Sequence, residues 1–338
     1  MQEILKKFKG TVIHPTTSVG ADGSLTEERD IFGSTHRYNR RNRCMKISMK
    51  NYIDKCLKKF KLEHVANKAS PATRGDLKEG KEVQYPLKSV LGAAQWVAVM
   101  ARPDITFSVQ RVQRCTKVTS SAVTAAKRIF AYLKGTADWG ITYSPEAESD
   151  FNDTYVELRN CGNKVDKSVF TFSDADFAGC PITFRSTSGT IVFLYGCPIM
   201  WASKRQSFRA LSTCESEHIA GFDSITVFES LGWLDFLLDG DDIPLNLMID
   251  NMSAISVSHQ EIATKKSKHF SLRCLKVKDY KNNIFYVPTE LNKADALTKI
   301  LGRVSYLNLL CEQDAEYVGY DHDDPVDENP KAYWFSVD

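Results

Sequence analysis

From residue 168 onward, short apolar runs alternate with helical stripes in one order: strand, strand, strand, helix, strand, helix, strand, helix. That order confines the segment to an α/β mixed sheet of five strands with helices packed on its faces. The first strand spans 169–172 and runs into Ser173-Asp174-Ala175-Asp176. Residues 189–195 and 198–202 read as two strands joined at Gly196, a hairpin signal. A long helix is expected over 212–238, with Ile219, Phe222, Val227, Leu231 and Leu234 on its apolar face. An apolar strand over 245–249 enters Asp250-Asn251, and a strand over 284–287 precedes a last helix over 291–300.

Four acids stand at the ends or starts of these elements. Asp174 follows the first strand, Glu217 lies early in the long helix, Asp250 ends the fourth strand and Asp295 lies in the last helix. Acids in such places suit phosphodiester hydrolysis, which gains from two hard cations roughly 4 Å apart. Mg²⁺ takes oxygen ligands and keeps several waters, so a few carboxylates on rigid elements suffice. Spacing alone leaves a second reading open, because a strand-end Asp is commonly a turn former.

Upstream the signal is weaker. The first fifty residues show little periodicity and end in the basic run Arg37-Tyr38-Asn39-Arg40-Arg41-Asn42-Arg43, read as a disordered run or a nucleic-acid arm. Tyr52, Ile53, Cys56, Leu57 and Phe60 recur at helical spacing. Residues 86–134 predict three helices: one stops near Arg102-Pro103, the next starts at that proline, and the third ends at Gly135. Residues 144–167 are polar and acidic, as in a linker.

The formal charge of +2 hides an asymmetry. From Glu312 to Asp338 there are nine acids and one base, which leaves 43 basic and 33 acidic residues before them. Such a body can attract phosphate backbones, or the excess can serve solubility alone. Nine scattered cysteines without a Cys-x-x-Cys pair suit a reduced intracellular compartment, cytoplasmic particle or nucleus, better than a disulfide framework or a zinc site. The N-terminus lacks the apolar core of a secretion signal, and no apolar run is long enough to span a bilayer, so no membrane partner is expected.

Ser173-Asp174-Ala175-Asp176-Phe177-Ala178-Gly179 resembles the first-strand motif of the ribonuclease H domain in copia-type retrotransposon Pol polyproteins. The likeness continues through Arg185-Ser186-Thr187-Ser188-Gly189, Trp201-Ala202-Ser203-Lys204-Arg205-Gln206 and Ser212-Thr213-Cys214-Glu215-Ser216-Glu217-His218-Ile219-Ala220. It extends to Asp250-Asn251, Lys268-His269 and Lys293-Ala294-Asp295-Ala296-Leu297-Thr298-Lys299. Upstream, Tyr85-Pro86-Leu87 and Ala101-Arg102-Pro103-Asp104-Ile105 resemble the family's segment between polymerase and nuclease. The resemblance covers roughly residues 46–300. It implies a truncated, partly irregular reverse-transcriptase remnant over 1–83, a helical connection or thumb-like segment over 84–143 and a linker over 144–167. A ribonuclease H-like domain over 168–300 and an acidic tail over 301–338 complete the division.

Position by position, the resemblance makes Asp174, Glu217, Asp250 and Asp295 both catalytic residues and ligands of two Mg²⁺ ions, with Mn²⁺ as the alternative metal. It implies endonucleolytic cleavage of the RNA strand of an RNA–DNA hybrid. The polymerase motif Tyr-x-Asp-Asp is absent, so no DNA synthesis is expected. Lys265, Lys266, Lys268, Arg273, Lys276, Lys278 and Lys281 give a basic stretch suited to sequence-independent phosphate contact. The residues expected to hold nucleic acid are Lys204, Arg205, Asn251, Ser253, Lys265, Lys266, Lys268, His269 and Arg273. The competing reading is an inactive relic that keeps the fold and binds nucleic acid or a protein partner.

Overall fold

A computed structural model describes residues 14–20, 23–77, 80–155, 169–180, 182–232, 244–259 and 268–312; side chains of 268–272 are not described. Two five-stranded sheets organise the chain. The first is an antiparallel meander of β1 (Thr16–Val19), β2 (Leu25–Ile31), β3 (Ser34–Asn39) and β4 (Cys44–Ser48), closed by β5 (Gly140–Tyr143). Between β4 and β5 lie α1 (Lys50–Lys59), α2 (Leu87–Met100), α3 (Thr106–Gln113) and α4 (Ser120–Gly135). The basic run is therefore ordered strand and turn rather than disordered. Arg37 bonds Glu28 at 2.6 Å and Arg40 bonds Glu27 at 2.6 Å across the ladder, the cross-strand pairing that supports polar strands.

Among the helices between β4 and β5 is a buried charged knot. Arg102 and Asp104 are 0% and 1% exposed. The Arg102 Nη2 donates to Asp104 Oδ2 at 2.7 Å and to Thr136 Oγ1 at 2.8 Å, while Nη1 donates to the Thr136 carbonyl at 2.8 Å. The Tyr132 hydroxyl donates to the same Asp104 oxygen at 2.7 Å. Each charge is thus met by several partners, the condition for a buried ion pair to be tolerated.

Residues 145–155, expected as linker, form the helix α5 (Pro145–Tyr155). Ala147, Phe151 and Tyr155 recur every four residues and are buried, so its apolar stripe docks although its other faces are acidic. Phe151 stacks on Phe193 at 5.2 Å and meets Phe170 edge-on at 5.3 Å. Residues 156–168 lie outside the described residues.

The second sheet holds β6 (Val169–Asp176), β7 (Thr187–Leu194), β8 (Cys197–Arg205), β9 (Leu245–Ile249) and β10 (Ile284–Tyr286). Its spatial order is β10-β9-β6-β7-β8. The β6, β7 and β8 strands are antiparallel, while β9 runs parallel to both β6 and β10. This is the ribonuclease H-like mixed sheet. The β7–β8 turn has positive φ at both Tyr195 (49°) and Gly196 (72°), the geometry of a two-residue primed hairpin. A Cβ on Gly196 would also lie 2.8 Å from Phe151 Cβ.

α6 (Thr213–Glu229), α7 (Met252–His259) and α8 (Lys268–Asp279) accompany this sheet. The expected last helix is instead two 3₁₀ turns, Thr289–Leu291 and Lys293–Leu297. α9 (Arg303–Leu310) follows, with Tyr306, Leu309 and Leu310 buried, so the first residues assigned to the tail are core. Glu312 also accepts from Lys46 at 2.7 Å; residues 313–338 lie outside the described residues. One apolar cluster runs from Met49 and Ile53 through Val97, Ile105 and Phe130 to Phe172, Ile191 and Leu297. The two sheets thus share a core.

Candidate metal centre

Strand pairing places the site. Asp174 sits near the end of β6, and Asp250 follows β9, its parallel neighbour, so both carboxylates emerge at the same edge. Glu217 reaches them from the first turns of α6. One oxygen from each of Asp174, Glu217 and Asp250 lies within 4.8 Å of the others. Asp174 is 2% exposed and Glu217 7%, so the oxygens meet where solvent screening is weak.

The two neighbouring acids have other environments. Glu215 accepts from the Leu211 backbone N–H at 2.7 Å, while the Ser212 hydroxyl accepts from the Glu215 N–H at 3.1 Å. Glu215 therefore serves the helix N-terminus. Asp176, one row beyond Asp174 on β6, is raised in pKa by burial and then by Asp174.

Asp295 is not part of the three-acid cluster but is joined to it through a cation. The Lys299 ammonium lies 2.9 Å from Asp295 Oδ1 and 3.4 Å from Asp174 Oδ1. Thr298 donates its hydroxyl to Asp174 Oδ2. Gly189, opposite Asp174 on β7, makes this approach possible: a Cβ there would lie 2.7 Å from Thr298 Cγ2 and 2.9 Å from the Ala294 carbonyl. Thr289 and Asn292 stand beside the Asp250 carboxylate and favour its charged form, and Asn292 Nδ2 donates to the Ser173 carbonyl at 3.0 Å.

Thr298, Lys299, Thr289 and Asn292 are the residues that sequence reasoning missed. Thr298 and Lys299 lie inside the matching block that ends at Lys299, and Lys299 also stands four residues beyond Asp295, but neither signal assigns them a role.

Crowding leaves its mark on acidity. Burial, then Asp174 and Asp250, pushes Glu217 up to about 9. Burial, then Asp174, pushes Asp295 up to about 7 and raises Asp250. Burial opposes the charge on Lys299, yet Asp174 and Asp295 hold its pKa above the ordinary value. Glu217 Oε2 is buried without a hydrogen-bond partner. An all-oxygen cluster of mutually repelling carboxylates with an unsatisfied ligand atom fits a hard divalent cation, and Asp174, Glu217 and Asp250 could hold it.

Glu217 and Asp295 bind protons more tightly folded than unfolded, so without metal the folded state loses stability as pH rises from about 4.5 toward about 9. Thermal midpoints in EDTA are expected to fall between pH 6 and pH 8. Divalent metal is expected to raise them more at pH 8; a metal-free midpoint that climbs over that range would contradict this placement of the acids.

The sites expected to hold nucleic acid are dispersed. Lys204 lies 3.4 Å from Asp223 on α6, and Arg205 ends β8. The Asn251 side chain accepts from the Ala254 N–H at 3.0 Å, capping α7, and Ser253 is exposed beside it. The Arg273 guanidinium stands 4.8 Å from the Phe208 ring and 5.7 Å from that of Phe222, so it is packed on aromatic faces. Lys268 and His269 begin α8, while Lys265 and Lys266 lie outside the described residues. Trp201 is held in the core, its Nε1 donating to the Ala98 carbonyl at 2.8 Å. Among the described residues, no helix is long and apolar enough to cross a membrane.

No family model matches the chain. It is 28% identical over 255 residues to the retrovirus-related Pol polyprotein from transposon RE2 of Arabidopsis thaliana, covering 72% of this chain and 16% of that one. It is 25% identical over 301 residues to the corresponding polyprotein from transposon TNT 1-94 of Nicotiana tabacum, covering 82% of this chain and 21% of the relative. The chain thus spans only a small part of those relatives. A crystal structure of LC11-RNase H1 in complex with an RNA/DNA hybrid aligns at 15% identity over 38% of this chain and 93% of that one. Its TM-score is 0.30, so the fold assignment rests on strand order and direction instead. The relatives and the sheet together identify the chain as a homologue of copia-type retrotransposon Pol polyproteins that carries a ribonuclease H-like fold.

Proposed function

We propose that this chain is a metal-dependent endonuclease that cuts the RNA strand of RNA–DNA hybrids. The observation that carries the reading is the convergence of Asp174, Glu217 and Asp250 from three separate elements, with ligand oxygens within 4.8 Å. Its relatives, retroelement Pol polyproteins, agree with it. Mg²⁺, two ions per site, suits the all-carboxylate set, with Mn²⁺ as substitute.

When bound, such cations activate water and stabilise the leaving oxygen. Asp174 would be one ligand, its orientation set by Thr298. Glu217 and Asp250 would supply the others, with Thr289 and Asn292 beside Asp250. Asp295 would act from the far side of Lys299. Cleavage by water leaves a 3′-hydroxyl and a 5′-phosphate and needs no covalent enzyme intermediate. Asn251 and Ser253, beside Asp250, are the proposed donors to the 2′-hydroxyls that distinguish RNA from DNA. Lys204, Arg205 and the basic residues of 265–281 would supply phosphate contacts.

The second reading, a relic that keeps the fold without turnover, draws on Lys299, which already neutralises part of the cluster. One assay separates the two. The purified chain, incubated with labelled hybrid and Mg²⁺, is expected to cut the RNA strand, and Asp250→Asn to lose that cleavage. Equal cleavage by both proteins would remove the proposed site; cleavage by neither would support the relic.

A further inference from the structure

A cleft of about 470 Å³ lies where α3 meets β8, lined by Gln110, Gln113, Arg114, Ser203, Lys204 and Arg205. Its wall belongs to the upstream helices and its floor to the edge strand of the second sheet. Arg114 donates Nη1 to Thr187 Oγ1 at 3.0 Å, while its Nε and Nη2, and the Ser203 hydroxyl, are buried without hydrogen-bond partners. Among the described residues, neither Arg114 nor Arg205 has a carboxylate within ion-pair distance. Burial, and then the charge of Arg205, lowers the Arg114 pKa to about 10.

Two guanidiniums and a set of unsatisfied donors around one opening, with the Lys204 ammonium already shared with Asp223, describe a site fitted to an anion. The register relates the cleft to the carboxylates. Asp176 pairs with Thr187 and Thr187 with Arg205; one row back, Asp174 pairs with Gly189 and Gly189 with Ser203. The cleft therefore stands two strands across from Asp174, roughly 10 Å away in the plane of the sheet. One duplex can span both places.

We propose that this cleft binds a phosphodiester group of the nucleic acid whose backbone also meets the carboxylates, with Arg205 and Arg114 supplying the charge. The proposal rests on the nuclease reading only for the identity of that nucleic acid. Lys204 and Arg205 were expected to touch phosphate from the sequence; Arg114, Gln110 and Gln113 were not, because they lie some 90 residues earlier and meet β8 only in the fold.

The test is binding of a fluorescently labelled RNA–DNA hybrid in EDTA, where cleavage cannot intervene, read by anisotropy across a series of salt concentrations. Arg205→Gln is expected to weaken binding about tenfold and to reduce the salt slope by about one ion, as for loss of a single phosphate contact. Arg205→Lys is expected to restore much of the slope, and the exposed Lys55→Gln on α1 to change neither value. The thermal midpoint of each variant shows that the fold is intact. Wild-type binding that Arg205→Gln leaves unchanged, equal weakening by Lys55→Gln, or no binding by the wild type would each overturn the cleft. A chain that binds through Arg205 yet never cuts under Mg²⁺ would overturn the nuclease reading alone.

Discussion

Replacing Arg102 by alanine is expected to cost about 3–5 kcal/mol of stability, the range for breaking a fully buried ion pair by removing one partner. The substitution leaves the Asp104 side chain buried at 1% exposure without its guanidinium partner, with the Tyr132 hydroxyl still donating to it. It also takes the Arg102 donors from the Thr136 hydroxyl and from its carbonyl, which keeps the Trp139 N–H. Lysine is not expected to rescue, because one ammonium cannot reproduce a planar fork bonded to two oxygens of Asp104 and two of Thr136. Replacing Arg102 and Asp104 together by apolar residues should recover part of the loss, since no unpaired charge then remains. Denaturant unfolding of the three variants measures all of this. A single alanine variant within about 0.5 kcal/mol of the parent would show that the knot contributes little, as is usual only for surface changes.

Glu217→Gln is expected to separate chemistry from stability. Glutamine matches the volume of glutamate but removes the charge that burial, Asp174 and Asp250 oppose. Cleavage of the hybrid is expected to fall about 100- to 10,000-fold, the scale for losing one positioned catalytic group. In EDTA at pH 8, by contrast, the thermal midpoint should hold or rise, and the stabilisation gained from added Mg²⁺ should shrink. An active Glu217→Gln variant whose metal response is unchanged would remove Glu217 from the site.

The legible parts of this molecule were those where apolar period and chemistry coincide. Residues 169–172 read as a strand because a short apolar run enters two aspartates, and the structure carries that strand on to Asp176; the hairpin reads from Gly196. The first sheet was hidden because β1 is exposed along its length and β2 is exposed or half-buried, with no buried residue. Its ladder and its Arg–Glu pairs carry no apolar alternation to detect. α5 was masked by Glu146, Glu148, Asp150 and Asp153, which outnumber the three residues that dock. Among the site residues, the four acids could be proposed from strand ends and motif likeness. Lys299 could not, since its partnership with Asp174 links positions 125 residues apart.

The core shared by the two sheets carries a consequence for how such a chain can be inherited. Trp201 borrows its acceptor from Ala98, and α5 fills the face behind Phe170, Phe172 and Phe193. A deletion that removed the upstream helices would leave that aromatic face in water and unseat the strand that floors the basic cleft. Descent of such a chain is therefore constrained to keep the upstream helices together with the second sheet, and cannot pare it down to that sheet alone. The smallest piece that persists intact is larger than the piece that holds the carboxylates.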